Sequence, residues 1–313
     1  MSTAGERVTL DDVARAAGVS LATVDRVLNN RAGVRGETAA RVRQAMEALS
    51  YRLDPLAARL ARGSSFRFCF ILPTGTNPFM EALGQHVASA AEWLYGQRAS
   101  AEIRRVDIFD PAALAASLES LGEDYQGVAV VAYDDPLVRA AIDDLVRAGV
   151  AVITLVSDVP SSRRHHYVGI NNTAAGRTAG SLMGRFLAGR QGKLGVVVGS
   201  LGLRDHVERH FGFSQVIGGD YAALELLPVV QGRDNTELTK AAVARLLDEH
   251  PDLVGLYNVG GGTRGFGAAI EESGRAHDLV VIAHELTDPA RRSSPSRSRS
   301  ASTSSCGTTC HDR

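Results

Sequence analysis

The stretch Val8-Thr-Leu-Asp-Asp-Val-Ala-Arg-Ala-Ala-Gly-Val-Ser-Leu-Ala-Thr-Val-Asp-Arg-Val-Leu-Asn29 constrains this chain more than any other. Leu10, Val13, Ala14 and Ala17 fall at i, i+3, i+4 and i+7, one apolar helical stripe. Thr9 stands at the N-cap, and Asp12 three residues on makes a variant capping box. Gly18 ends this helix, and Ser20 can cap a second one that buries Val24, Val27 and Leu28. Two short helices joined by a tight glycine turn form the helix-turn-helix pattern. The second helix then turns Leu21, Ala22, Asp25, Arg26 and Asn29 toward solvent, where a DNA major groove would lie. A helical hairpin serving some other end would show the same pattern.

The next residues narrow the choice. Val42, Ala45, Met46 and Leu49 form a third stripe that can close a three-helix core. Asp54 before Pro55 is an N-cap and N1 pair, so a short helix is predicted there, ended by Gly63. The motifs T-L-D-D-V-A-x-x-A-G-V-S, T-V-x-R-V-L-N and Y-x-x-x-x-x-A-x-x-L follow one another in order and spacing. On these motifs, residues 8–63 resemble the headpiece and hinge of the lactose-repressor (LacI/GalR) family. The resemblance implies a transcriptional regulator, a repressor, that binds a pseudo-palindromic operator in double-stranded DNA as a homodimer. Under it, Arg26 donates to a guanine edge, and Leu21 and Ala22 meet a thymine methyl. Asp25 stands where the family usually carries Ser, and either accepts from cytosine or shapes Arg26. Thr9, Ser20, Thr23 and Asn29 bind phosphates and set register, with Leu10 beside them. Leu60 is the wedge that enters the minor groove; simple packing of a short helix is its alternative.

Charge agrees locally, not globally. The whole chain of 313 residues carries a net charge of −1, which says nothing about nucleic acid. Residues 1–63 hold ten arginines against seven carboxylates, a net +3 that can meet phosphates. No charged start with an apolar run precedes Val8 and no stretch is long enough to span a membrane, so a cytoplasmic protein is expected. Cys69, Cys306 and Cys310 do not form a disulfide framework.

From Phe66 strands and helices alternate. Strands are predicted over 66–72, 103–109, 128–133, 150–156, 194–199, 224–230, 253–258 and 279–283. Helices are predicted over 78–94, 136–148, 173–187, 236–249 and 265–273. Continuous apolar strands between amphipathic helices mean parallel sheets covered on both faces. The fold class is therefore an all-α helix-turn-helix headpiece plus a two-lobed α/β domain. Ligands of such sheets sit at the carboxyl ends of the strands. Those ends carry Asn77, Asp134 and Asp135, Ser157 and Asp158, Asn258, and His284-Glu285, while Tyr167 to Asn172 leads into a helix as a crossing between lobes.

Residues 66–288 resemble the periplasmic-binding-protein-like sensor domain of the same family. The resemblance implies a sugar or polyol effector, held by Asn77, Phe79, Asp134, Arg209, Asn258 and Glu285 through bidentate polar contacts and an aromatic face. Many relatives carry an Asn-Asp pair where this chain reads Asn258-Val-Gly-Gly-Gly262. Gly260-x-Gly262-x-x-Gly265, with Glu285 about twenty residues on, also fits a dinucleotide fingerprint; a tight loop admitting a small ligand is the alternative. His165-His166 reads as a solvated loop, with no third residue at zinc-like spacing. No cofactor, metal site or catalytic constellation is expected, so an α/β enzyme is the weaker class, beside a sugar-binding module without regulation.

The expected organisation is a headpiece over 1–52, a hinge helix and linker over 53–65, the sensor over 66–288, and a Ser/Arg-rich disordered tail over 289–313. Relatives continue past Glu285 with another strand, another helix and a return to the first lobe. The tail therefore reads as an out-of-frame end that leaves the sensor incomplete, with a natural Ser/Arg tail as the alternative.

Overall fold

The computed structural model describes residues 8–28, 32–49, 51, 65–75, 77–122, 124–284 and 301–303. The chain divides into two compact units, Met1–Ser65 and Phe66–Arg313.

In the first unit, helices α1 (Leu10–Ala17), α2 (Leu21–Leu28) and α3 (Gly36–Ala48) enclose one small core. Val13, Ala14, Ala17, Val24, Val27, Val42 and Ala45 are buried in it, flanked by Leu10, Leu28, Met46 and Leu49. Thr9 and Asp12 close a full capping box: the Asp12 amide donates to the Thr9 hydroxyl, and the Thr9 amide donates to the Asp12 carboxylate at 2.9 Å. The Thr9 hydroxyl also donates to Asp12 Oδ2 at 2.7 Å, and this bond first, then that from the Thr9 amide, holds the Asp12 carboxyl below its usual pKa. Gly18 takes the left-handed conformation, φ 60°, that lets α1 stop and the chain turn at once into α2. Ser20 Oγ accepts from the Thr23 amide at the start of α2. The hinge expected over 53–65, with its helix and Leu60, falls outside the described residues except at Ser65, as does Asn29.

The second unit holds two parallel sheets. The first has the order β2-β1-β3-β4-β5, from β1 (Phe66–Pro73), β2 (Ala99–Val106), β3 (Gly127–Val130), β4 (Ala151–Leu155) and β5 (His166–Val168). It is covered by α4 (Pro78–Ser89), α5 (Ala91–Gly96), α6 (Pro111–Glu119) and α7 (Pro136–Arg147). The second sheet contains β6 (Gly192–Val198), β7 (Leu224–Leu226), β8 (Val230–Gln231), β9 (Leu253–Asn258), β10 (Val280–His284) and β11 (Ala301–Thr303). Helices α8 (Asn172–Phe186), α9 (Arg204–Asp220), α10 (Thr236–Glu249) and α11 (Thr263–Glu272) cover it. The chain leaves the first sheet after β5 and enters the second lobe through α8, the crossing expected at Tyr167 to Asn172.

Helices α8 and α9 touch backbone to backbone. A Cβ at Gly176 would lie 1.9 Å from the Arg209 carbonyl oxygen, and one at Gly212 would lie 2.1 Å from that of Thr173. Only glycine permits this approach.

Several local expectations need correction. The helix expected over 78–94 ends at Ser89 and resumes at Ala91; the Ser89 hydroxyl donates back to the Gln85 carbonyl at 2.7 Å, which weakens a helix interior. The strand expected over 103–109 lies at Ala99–Val106, because this edge strand carries Glu102 and Arg104, which pair with each other, at polar positions. The strand expected over 224–230 is two short pieces interrupted at Pro228, which has no amide to donate. His165 and His166 are both exposed, as expected, but only His165 lies in the loop. His166 opens β5, and His165 Nδ1 accepts from the Val152 amide at 3.1 Å. Within the tail expected to be disordered, Ala301–Thr303 runs parallel to β10, with Ile282 opposite Ala301.

Candidate functional site

The outward face of α2 is the first candidate surface. Val24 and Val27 are buried against α1 and α3, so Leu21, Ala22 and Arg26 are exposed by helical geometry. Leu21 is 45% exposed, unusual for a leucine that a three-helix core could have used. Thr23 and Asp25 are half-buried, and Ser20 and Thr23 share a hydroxyl contact at 2.9 Å at the start of the helix. Leu10 packs against the headpiece core, which limits how much of it can face a ligand.

The second candidate is the cleft between the two lobes of the sensor unit. Its parts lie where β1, β2, β3, β4, β6, β8 and β9 end, and they gather into three clusters.

The first cluster centres on Asn77. Its Oδ1 accepts from the Phe79 amide and caps α4, while its Nδ2 donates across the cleft to Asp234 Oδ2 at 3.3 Å. Asp234 Oδ1 accepts from the Gly261 amide at 2.8 Å. Asp234 and Arg233 both adopt left-handed backbone, φ 52° and 49°, a cost that a loop bears only when its surroundings dictate it. Arg233 donates to Asp107 of the other lobe at 3.2 Å and lies over the Phe109 ring. A cavity of about 210 Å³ opens here, lined by Asn77, Asp107, Phe109, Arg233 and Asp234 among others.

The second cluster centres on Arg209, buried at 5% exposure. Its Nε donates to Asn172 Oδ1 and its Nη1 to the Val259 carbonyl, each at 2.9 Å. Asn172 Nδ2 donates to the Tyr167 hydroxyl at 3.0 Å, and that hydroxyl donates to the Val156 carbonyl at 2.8 Å. Burial pushes the Tyr167 phenol up to about 12, against the opposing pull of Asn172. Asp205 lies one helical turn before Arg209, with Oδ2 4.0 Å from Nη1. Asp205 Oδ1 is buried and has no hydrogen-bond partner. His206 is buried too, and its Nδ1 accepts from the Gly199 amide at 3.1 Å, which leaves the proton on Nε2.

The third cluster joins the lobes by backbone. The Asp134 amide donates to the Gly202 carbonyl at 2.9 Å, and the Tyr133 hydroxyl meets Ser200 Oγ at 2.9 Å. Ser157 Oγ accepts from the Arg204 amide at 3.0 Å, where α9 begins. The Asp134 carboxylate pairs with Arg139 at 2.9 Å. Asp158, at the end of the same strand as Ser157, pairs with Arg164. Burial opposes its ionisation, but Arg164, Thr154 and the Val159 amide together hold its carboxyl below the usual range.

Of the residues expected to hold a ligand, Asn77 lines the smaller cavity, whereas Arg209 and Asn258 are buried, and each of the three has a partner inside the protein. Asn258 Nδ2 donates to the Gly261 carbonyl and closes its own loop. Phe79 packs on the first lobe's core, and Asp134 faces Arg139. Glu285 lies outside the described residues. Asp205, His206 and Asp234 were not singled out in the sequence. Asp205 and His206 sit one turn before Arg209 on the same helix, a spacing that could have flagged them; Asp234 has no local signal.

The glycine fingerprint is explained by packing. A Cβ at Gly260 would meet His206 at 2.6 Å, one at Gly261 would meet Asn77 at 2.7 Å, and one at Gly265 would meet the Thr236 carbonyl at 1.8 Å. The glycines admit the protein's own groups, so the space a pyrophosphate would need at this turn is already filled.

Comparison with known proteins agrees with both units. Residues 68–294 match the model of the periplasmic binding protein domain, and residues 9–54 match that of bacterial regulatory proteins of the lacI family. The ribose operon repressor of Bacillus subtilis is 44% identical over 77 residues, 25% of this chain and 24% of the relative. Catabolite control protein A of Priestia megaterium is 37% identical over 84 residues, 27% of this chain and 25% of the relative. The aligned part therefore spans about a quarter of these relatives. Among solved structures, an ABC transporter solute binding protein from Burkholderia graminis in complex with D-arabinose superposes with a TM-score of 0.66. It is 22% identical and covers 72% of this chain and 78% of its own. GanP, a glucose-galactose binding protein from Geobacillus stearothermophilus, gives 0.64 at 18% identity, covering 73% and 81%. At these identities the two structures establish the fold.

Proposed function

Because the chain belongs to the lacI family of bacterial regulatory proteins, with a periplasmic binding protein domain over most of its length, we propose that it is a DNA-binding transcriptional repressor whose operator affinity is set by a small polyhydroxylated effector. The carrying observation is the presentation of α2. Its inner face is locked by Val24 and Val27, and its outer face offers Arg26 with the small apolar Ala22 and exposed Leu21. That set suits a major-groove edge: a guanidinium for guanine N7 and O6, and apolar groups for a thymine methyl. Thr9, Ser20 and Thr23 lie at or near helix starts, where hydroxyl donors suit phosphates, and Asn29, outside the described residues, is proposed to join them. Leu60 serves as the minor-groove wedge and Asp25 as a partner to Arg26 or cytosine.

The effector enters the interlobe cleft. Asn77 and Asp234 line it with groups that can exchange internal partners for ligand hydroxyls, and the buried Arg209 is proposed to act with them. Asp205 Oδ1, buried and unpartnered, is the atom that gains most from a ligand donor, since a buried acceptor without a donor costs roughly 1–3 kcal/mol. Asp134, Phe79, Asn258 and Glu285 complete the proposed set.

The relatives' printed names, a ribose operon repressor among them, support a sugar-sensing repressor. The protein acts in the cytoplasm as a homodimer, two headpieces reading two half-sites. None of the described helices is long and apolar enough to cross a membrane.

Selection of bound sequences from a random DNA pool tests the reading. The expected result is a two-fold symmetric site whose occupancy falls steeply with salt, as phosphate neutralisation requires. Enrichment of no sequence, or of an asymmetric site bound equally at low and moderate salt, would overturn it.

A further inference from the structure

The interlobe cleft has a second chamber, of about 500 Å³, beside the one that contains Asn77 and Asp234. The two chambers share Phe109, Arg233 and Leu238 as a common wall. Their charges differ in kind. The smaller chamber is lined by the carboxylates of Asp107 and Asp234 together with Arg233. The larger one has Arg233 and Arg245 as its charged groups and no carboxylate among the described residues that line it. Around these two guanidiniums stand neutral groups, the Tyr133 and Ser200 hydroxyls and the Gln231 side chain. Gln231 Oε1 accepts from the Leu201 amide at 3.1 Å, so its NH₂ group is the part left to donate.

Two arginines in one cavity repel each other and favour a shared anion, which they bind in fork geometry. Arg233 is held in place for that task. Its left-handed backbone, its bond to Asp107 and its seat on the Phe109 ring fix a long side chain that would otherwise lose entropy on binding. The adjoining carboxylates disfavour an anion in the smaller chamber and suit hydroxyl donors.

We propose that the effector is an anionic sugar. Arg233 and Arg245 hold its phosphate or carboxylate in the larger chamber, and its hydroxyls turn to Asn77, Asp107 and Asp234 in the smaller one. This inference rests on the reading of the cleft as the effector site and adds the charge class of the ligand. Arg245 is the discriminating residue. It takes no part in the Arg233–Asp107 bridge, and it lies on the exposed side of α10, so its replacement spares the core.

The test is calorimetric titration of the full chain with four series of probes: aldoses, their terminal phosphate esters, the corresponding uronates, and inorganic phosphate. The expected result is that one ester or uronate binds at least about tenfold tighter than its parent aldose. Its affinity should fall with salt, and Arg245→Gln should bring it to the parent's level while leaving the parent's own affinity and the melting midpoint unchanged. The ester and uronate series distinguish a phosphate from a carboxylate. If neutral aldoses bind wild type and Arg245→Gln as tightly as any anionic form, the anionic site is refuted and the effector reading stands. If inorganic phosphate alone binds as tightly as the best ester, the chamber is a phosphate site and the two-chamber ligand is refuted. If no probe binds, both fall.

Discussion

The Tyr167 hydroxyl and the Asn172 amide meet at 3.0 Å where the chain leaves the first sheet for the second lobe. On one side Tyr167 donates to the Val156 carbonyl of the first lobe; on the other Asn172 accepts from Arg209, which reaches the Val259 carbonyl of the second. A single buried chain of hydrogen bonds therefore links the end of β4 to the end of β9 through Arg209. Any ligand that pulls on Arg209 pulls on this crossing.

Tyr167→Phe should expose that linkage. It leaves the Asn172 amide without its acceptor and the Val156 carbonyl without its donor, a cost of about 1–3 kcal/mol. Effector binding should weaken modestly, and its effect on DNA affinity should shrink by a larger factor. Equal losses in the two quantities, measured by titration and by DNA binding with and without effector, would mean that the bond is merely structural.

Two glycine substitutions should have opposite signs. Gly176→Ala puts a Cβ 1.9 Å from the Arg209 carbonyl oxygen, so α8 and α9 must part, at roughly 1–3 kcal/mol. Gly219, in the last turn of α9, has open space around it, and its replacement by Ala should stabilise by up to roughly 1 kcal/mol. Urea unfolding of the two variants checks both; a stabilised Gly176→Ala would disprove the contact.

Stability should fall in mild acid through His284. Burial first, then Arg209 and His206, hold its pKa well below 6.5, and its Nε2 faces the Tyr257 hydroxyl. Above about pH 6.5 neither the folded nor the unfolded imidazole is protonated, and the contribution is complete. As the pH drops below that value the unfolded chain takes up a proton that the folded chain refuses. Stability is then lost at up to about 1.4 kcal/mol per pH unit until the folded pKa is reached. His210, also lowered by burial, adds a smaller share. His284→Gln should flatten the slope below pH 6.5, read from denaturation midpoints between pH 5 and 8.

Arg26→Ala should cost sequence preference more than overall affinity. The side chain is exposed and free to reach a base edge, and a bidentate contact is worth about 1–3 kcal/mol of discrimination. A binding profile measured against all single-base variants of the selected site should flatten at one symmetric pair of positions. A uniform loss at every position would reassign Arg26 to phosphate.

Much of this architecture is legible in local sequence because its signals are local. The Thr9–Asp12 box, Pro at the first position of α4 and α7, and the pattern of α10 depend on residues within a few positions of one another. β9 likewise begins and ends where its apolar run does. The cleft is less legible, because its partners are far apart in the chain. Asn77 finds Asp234 across 157 residues, and the glycines after Asn258 are set by Asp234, His206 and Thr236 rather than by a ligand. A fingerprint read by spacing alone cannot separate a turn made for a cofactor from one made for the protein's own side chains.

The Ser157–Arg204 bond has a use beyond holding α9 in place. The Arg204 amide is at the start of the second lobe's helix, yet its acceptor is a hydroxyl of the first. That proton can exchange with solvent only when the lobes separate, whereas amides deeper in α9 are protected by the helix itself. Its exchange rate is therefore a one-atom gauge of how often the cleft opens. An effector that favours the closed arrangement should slow it in proportion to occupancy, even where no spectroscopic probe has been attached.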